Sequence, residues 1–217
     1  MDLLDFARGP ALQLAVVIFI AGLTWRIIHL YLTQKKIDLS EARQGGEIAG
    51  GIRTIFSRFI HHKPFRERTR NGTILAYAIH IGLAIVVLGG APHILFIESF
   101  SGLEWTPLPS IVIHFAAALT LAALLISLGR RIRHPVLRML SNFDDYFSWL
   151  VTIVPVATGL LAVAHVGARY ETMLALHILS FEVFLIWFPF GKLMHSIIVF
   201  GSRYTTGVTF TRRGARV

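Results

Sequence analysis

The chain has 217 residues, of which 54% are hydrophobic and only 15% are charged, and its mean hydropathy is +0.64. This balance excludes an ordinary soluble domain and predicts an integral membrane protein whose first partner is the lipid bilayer. The net charge of +9 does not indicate nucleic-acid binding, because the basic residues cluster on one side of the predicted membrane.

Five apolar segments follow one another along the chain, and each is long enough to cross a hydrocarbon core of about 30 Å as a helix. We therefore predict one all-α bundle with helices at about 10–32, 72–97, 107–129, 146–168 and 172–201. The N-terminus has neither a basic region nor a small-residue cleavage site, so helix 1 is predicted to be retained rather than cleaved as a signal peptide.

The distribution of Lys and Arg predicts the orientation. Ten lie within 26–70, four within 130–138 and five within 192–216, which leaves only Arg8 and Arg169 for the other side. Because basic residues accumulate on the cytoplasmic side, we expect the N-terminus outside and the C-terminus in the cytoplasm. The chain is predicted to be a multi-pass protein of the inner (cytoplasmic) membrane of a cell.

The predicted cytoplasmic connection at 33–70 is long for a compact domain. Apolar residues recur in it at helical spacing beside Arg53 and Arg58, which favours an amphipathic helix at the membrane interface. These residues are Ile48, Ile52, Ile55, Phe56, Phe59 and Ile60. Two interpretations stay open, a helix anchored on lipid and a docking face for a cytoplasmic subunit.

Histidines within the predicted spans are the most informative polar residues, because polar side chains inside a membrane are functional candidates. His177 and His195 are 18 residues apart, which is five turns of a helix, so both are expected on one face and roughly 27 Å apart. Since helices 2 and 5 run antiparallel, His80 comes level with His195 and His93 with His177. Each pair could hold a haem iron, because neutral imidazole coordinates iron and apolar helices can enclose a porphyrin.

The fourth ligand stays open at this stage. A separation of 13 residues rotates His93 about 220° from His80 on a regular helix, so the two share a face only if the glycine- and proline-containing segment 89–92 distorts the helix. His114 and His165, at outer helix ends, are alternatives. Interhelical or headgroup hydrogen bonds are the simpler interpretation for His29, His61, His62 and His134.

Three segments carry a resemblance to a known family. They are HIGLAIVVLGG from His80, RRIRHPVLRMLSNFDDY followed by TGLL at 158–161, and LHILSFEVFLIWFPFGKLMH in predicted helix 5. These segments, within residues 71–217, resemble the cytochrome b (gamma) subunit of respiratory nitrate reductases and the related membrane cytochromes of sulfite-reduction-associated and heterodisulfide-reductase-like complexes.

The resemblance implies five helices that bind two b haems, with His80, His177 and His195 matching family ligands. The family's fourth ligand falls ten residues after the first, where this chain has Gly90, so His93 is the nearest substitute and a single-haem variant stays open. The resemblance also implies an electron-transfer subunit of an oxidoreductase complex, which exchanges electrons between quinone and a cytoplasmic iron–sulfur partner that carries the terminal catalytic site.

The chain has no cysteine, which excludes a covalently attached c-type haem and a cysteine-ligated cluster within it and assigns any such cluster to the partner. The alternative function is a haem-free or single-haem membrane anchor, in which the histidines only bridge helices. A transporter is disfavoured, because five helices without a repeat do not match its usual architecture.

Glu182 is the one acidic residue within predicted helix 5, about 140° around the helix from His177. An intramembrane carboxylate is costly unless it is paired. We hypothesise that Glu182 relays quinol protons outward, with a structural hydrogen bond as the alternative. Four cations at the cytoplasmic helix ends are candidate partners for haem propionates, although snorkelling to the surface also accounts for each of them: Arg26, Arg70, Arg130 and Lys192.

Overall fold

The computed structural model describes residues 2–33 and 41–215, and these residues form helices and connections without a strand. The helices are α1 (Leu3–Leu32), α2 (Glu47–Ser57), α3 (Arg66–Gly89), α4 (Ala91–Ser101), α5 (Ser110–Arg133), α6 (Pro135–Met139), α7 (Phe143–Ala164), α8 (Tyr170–Trp187) and α9 (His195–Arg212). Five of them, α1, α3, α5, α7 and α8, are long and apolar enough to cross a membrane. The prediction of an all-α, multi-pass membrane protein is therefore confirmed.

The surface of the bundle is apolar, whereas its helix contacts use small residues. Leu14, Ile111 and Phe115 are among the many large hydrophobic side chains that are more than half exposed. A Cβ atom on Gly22 of α1 would lie 2.7 Å from Pro189 Cγ, and one on Gly82 of α3 would lie 1.9 Å from Thr120 Oγ1. Close approach at small residues is how helices associate where lipid is the solvent.

The bundle has two ends of different composition. The end of α1, the start of α3, the end of α5 and the turn after α8 carry Arg26, Arg70, Arg130 and Lys192, and we call this the basic end. At this end Asp145 of α7, only 6% exposed, accepts a hydrogen bond from Arg131 Nη1 at 2.9 Å and another from Lys192 Nζ. The ion pairs join the end of α5, the start of α7 and the turn after α8.

The prediction of one helix over 72–97 is wrong beyond Gly89. Gly90 is extended (φ −76°, ψ 124°), and α4 begins at the next residue with a proline in its first turn. Pro92 has no N–H to continue the helix. The carbonyl groups freed at the end of α3 are satisfied from the following connection, since Leu108 N donates to Gly89 O at 2.9 Å and Trp105 Nε1 donates to Leu88 O at 2.6 Å.

The prediction of one helix over 172–201 is also wrong. Helix α8 ends at Trp187, a turn and a 3₁₀ segment (Lys192–Met194) follow, and α9 begins at His195. Pro189 cannot donate to the preceding turn, and a Cβ atom on Gly191 would lie 2.2 Å from Trp187 Nε1. Asp144 Oδ1 accepts from the freed Lys192 N–H at 3.1 Å, which joins the turn to α7.

Residues 34–40 of the predicted connection lie outside the described residues. Its described part contains α2, which packs antiparallel against α9 at very short range. A Cβ atom on Gly51 would lie 2.6 Å from the Tyr204 ring, and one on Gly207 would lie 2.4 Å from Thr54 Oγ1. Arg212 Nη1 and Glu47 Oε1, 3.2 Å apart, close the far end of this two-helix unit.

Candidate functional site

Two pairs of histidine rings lie next to each other in the bundle, one pair edge-on with an interplanar angle of 82° and the other tilted by 44°. His80 in the middle of α3 meets His195, the first residue of α9, with ring centres 5.9 Å apart. His93 in α4 meets His177 in α8, with ring centres 6.1 Å apart. We call these the basic-side pair and the far-side pair. The structure thus brings together the four histidines that were predicted to come level with one another.

The route to this pairing differs from the one expected. A continuous helix was assumed to put His177 and His195 on one face, but the interruption between α8 and α9 removes that basis. The turn at 188–194 changes the direction of the chain, and as a result the His195 ring lies beside His80. The interruption at Gly90 means that the rotation of about 220° between His80 and His93, which a regular helix would impose, does not apply.

The Nδ1 atom of each paired histidine lies within hydrogen-bonding distance of a backbone carbonyl. The acceptors are Ala76 for His80 (2.7 Å), Val86 for His93 (3.0 Å), Pro155 for His177 (2.9 Å) and Lys192 for His195 (2.7 Å). A neutral imidazole can donate to a carbonyl only from a protonated nitrogen, so this network assigns the proton to Nδ1 and leaves a lone pair on Nε2. Metal-ligating histidines are oriented by the same kind of bond.

The pairs suit a metal that is coordinated from two opposite sides. Imidazole–metal bonds are about 2 Å long, so two such rings stand roughly 6 Å apart centre to centre. No group of three or more metal-ligating side chains converges in the part of the chain that the structure describes. Haem iron takes four ligands from the porphyrin and needs only two axial ones, which is the donor set that each pair offers.

Glycines make room beside the far-side pair. A Cβ atom on Gly159 of α7 would lie 3.1 Å from the His177 ring, and one on Gly90 would lie 3.1 Å from His93 Nδ1. Both distances are shorter than ordinary carbon contacts, so larger residues would displace the rings. The far-side rings are half-buried, whereas the rings of His80 and His195 are exposed on the apolar flank of the bundle.

The two alternative ligands lie elsewhere. His165 ends α7 in the left-handed conformation (φ 54°), and its ring packs against Tyr170 at 5.5 Å. His114 is exposed on α5, and among the described residues it has no ring contact with either pair. The geometry therefore selects His93 as the neighbour of His177.

The four candidate propionate partners lie in different environments. Lys192 forms an ion pair with Asp145, and Arg130 lines a cavity of about 680 Å³ at the end of α5. The side chain of Arg70 makes no polar contact with another described residue. The Nε atom of Arg26 is buried and lacks a hydrogen-bond partner in the described part of the chain. Of the four cations, Arg26 is therefore the one whose buried donor could bind a propionate oxygen.

Glu182 of α8 is buried, with 4% of its surface exposed. Its Oε1 atom has no hydrogen-bond partner among the described residues. The structural hydrogen bond that was the alternative explanation is therefore absent at this oxygen.

Sequence reasoning missed the residues that orient the rings. Pro155 and Gly159 are four residues apart in α7, and together they offer a carbonyl group to the His177 ring and leave space beside it. A proline followed by a glycine one turn later in an apolar helix was an available signal of close approach. The acceptors Ala76 and Val86 offered no such signal, because any residue type supplies a carbonyl group.

A protein of Nitratidesulfovibrio vulgaris (strain Hildenborough) is 30% identical to the chain in an alignment 215 residues long, and the alignment covers 96% of this chain and 94% of that protein. Its name, "Protein", states no function. No protein-family model matches the chain. Because this identity extends over 96% of the chain and 94% of the relative, the chain belongs to the same family as this N. vulgaris protein.

Proposed function

We propose that the chain is a dihaem cytochrome b of the kind found in nitrate reductase gamma subunits and related complexes, and that it carries electrons between the quinone pool and a cytoplasmic iron–sulfur protein. One observation carries the proposal. His80 and His177 lie in candidate spans and pair with His195 and His93, which follow the ends of α8 and α3; the ring centres are 5.9 and 6.1 Å apart, and the Nδ1 atom of every ring is held by a carbonyl group. A pair that only bridged two helices would bond ring to ring instead.

The chemistry that such pairs support is outer-sphere electron transfer. A haem bound between two histidines supplies a one-electron iron couple with no open coordination position, so it does not activate oxygen. The protein's own contribution is to fix the tautomer of each ring, to hold the two rings at the separation that iron requires, and to keep water from the site with apolar helices.

The positive-inside rule assigns the basic end to the cytoplasm. The pair of His80 and His195 then lies nearer the cytoplasmic partner, and the pair of His93 and His177 lies nearer the outer face. Two pairs at different depths suit stepwise electron transfer across the membrane. The partner supplies any cysteine-ligated cluster, because this chain has no cysteine.

Glu182 follows His177 along α8 toward the basic end, and it suits proton transfer at a quinone site beside the far-side pair. Oxidation of a quinol releases two electrons and two protons. The two electrons would pass one at a time to haem held by the histidine pairs, and the buried carboxylate, five residues from His177 along α8, would accept the two protons in turn and pass each of them outward. Its unpartnered oxygen leaves it free to receive each proton.

The first experiment is a reduced-minus-oxidised visible spectrum of the purified chain, with the haem content quantified as the pyridine haemochrome. We expect two b haems per polypeptide. One haem would restrict the proposal to a single pair. A well-folded, colourless protein would overturn it and favour the membrane anchor.

A further inference from the structure

A cavity of about 510 Å³ lies between the end of α2, the turn that precedes α3 and the middle of α9. Its polar lining includes Arg58, Arg203, His61 and His62, and its apolar lining includes Ile60 and Phe65. No carboxylate lines it. The cavity is separate from both histidine pairs, and the proposed electron transfer does not use it.

Two of the four basic side chains are already committed to the protein. Arg203 Nη1 donates to Ile55 O at 3.3 Å, and its guanidinium lies 4.8 Å from the centre of the Phe59 ring. His61 Nδ1 is 3.1 Å from Thr73 Oγ1. These contacts hold the turn in place.

The side chains of Arg58 and His62 differ, because neither makes a polar contact with another described residue. Arg58 therefore presents its whole guanidinium fork at the cavity. Guanidinium groups pair with phosphate through two parallel charge-assisted hydrogen bonds. A cavity with this lining and no acidic residue favours a phosphate-bearing anion.

The position of the cavity indicates where that phosphate comes from. The turn at 58–62 lies alongside the apolar part of α3, beyond the charged first turns of that helix. Tyr77 Oη donates to Phe59 O, and His61 contacts Thr73. Beside the cavity Ile60 is 66% exposed and Phe65 is 59% exposed. Apolar anchors next to cations are the arrangement of a protein surface at the boundary between acyl chains and headgroups.

We propose that this cavity binds the phosphate group of an anionic phospholipid. Arg58 and His62 hold the phosphate, Arg203 adds positive charge behind it, and the acyl chains run along Ile60 and Phe65 into the bilayer. The bound lipid joins α2 to α3 and α9 on the same side of the molecule as the pair of His80 and His195.

The test measures the thermal unfolding midpoint of the detergent-purified full chain with added phosphatidylglycerol, phosphatidylcholine of the same acyl chains, or inorganic phosphate. We expect phosphatidylglycerol to raise the midpoint by about 5 °C and the other two to leave it unchanged. An equal shift with phosphatidylcholine would overturn the proposal. An equal shift with inorganic phosphate would overturn the lipid assignment in favour of a soluble anion.

Variants locate the effect. Arg58→Gln and His62→Gln should each abolish most of the phosphatidylglycerol shift, and they are expected to fold because neither side chain has a protein partner. Arg53→Gln is the matched control, since Arg53 is exposed on α2, whose C-cap is Arg58, and does not line the cavity. Equal losses in Arg53→Gln and Arg58→Gln would contradict a specific site.

The haem content of each variant separates this proposal from the proposed function. Arg58→Gln should keep the full complement of haem. If Arg58→Gln lost both haem and the rise in unfolding midpoint with phosphatidylglycerol, the lipid assignment would be overturned in favour of a haem carboxylate in the cavity.

Discussion

The two histidine pairs share one construction and differ in what holds it. In each pair one ring comes from a continuous helix, His80 from α3 and His177 from α8, and the other comes just after a helix interruption. The basic-side rings bond to carbonyl groups three or four residues away in their own segments. His177 instead bonds to Pro155 on α7, and the carbonyl of Val86 reaches His93 across the break at Gly90. The basic-side rings are thus oriented locally, and the far-side rings depend on neighbouring segments.

The largest expected effect is the loss of one haem when one pair is broken. His195→Ala should remove the basic-side haem and His177→Ala the far-side haem, because each leaves iron with a single axial histidine. The measurement is haem per polypeptide together with the resolved redox potentials. His114→Ala is the control and should keep both haems; if it instead lost one, the pairing would be wrong.

The dependence of the far-side pair on its neighbours can be tested at Gly159. Gly159→Leu should lower the occupancy of the far-side haem about tenfold, because its side chain would fill the space of the His177 ring, and should spare the basic-side haem. Gly129→Leu is a matched control on α5, where a Cβ atom meets nothing within 4 Å. Equal losses at both haems would contradict the difference between the pairs.

A substitution at Glu182 tests whether proton transfer beside the far-side pair limits the oxidation of quinol. Glu182→Gln should slow haem reduction by a quinol analogue at least about tenfold, because an amide cannot accept the proton. Haem content and dithionite reduction should not change. Glu171→Gln, at an exposed site on the same helix, controls for the loss of charge. Unchanged quinol kinetics in Glu182→Gln would exclude the proton relay.

The smallest expected effect concerns the basic-side pair. Asp145→Asn weakens the ion pairs with Arg131 and Lys192, and Lys192 O orients the His195 ring. We expect a loss of about 2 kcal/mol in the free energy of unfolding, since both cations keep partial solvent exposure. The potential of the basic-side haem should shift and that of the far-side haem should not. Redox titration of the variant, with Asp144→Asn for comparison, measures this.

The sequence was sufficient for the five spans and for which histidines come level, because apolar length and antiparallel order are properties of the chain itself. The course of predicted helix 5 was not predictable from periodicity. Pro189 and Gly191 end α8, and the direction in which the chain then continues depends on contacts with Trp187 and Asp144. Only tertiary packing decides that direction.

The cavity at Arg58 was also beyond prediction. His61 and His62 were interpreted only as residues with interhelical or headgroup hydrogen bonds, and their neighbours from α9 are about 140 residues distant in the chain. Their juxtaposition depends on Gly51 and Gly207, which let α2 and α9 approach closely. Glycine pairs of this kind leave no periodic signal.

The placement of one ligand after each interruption has a mechanical consequence. A metal bound between His80 and His195 would cross-link α9 to α3, and one bound between His93 and His177 would cross-link α4 to α8. The peptide chain joins these segments to the bundle only through turns, so each iron would act as a cross-link that the backbone lacks. Binding of the metals would therefore reinforce the contacts that already hold one internal segment, α4, and the last helix, α9.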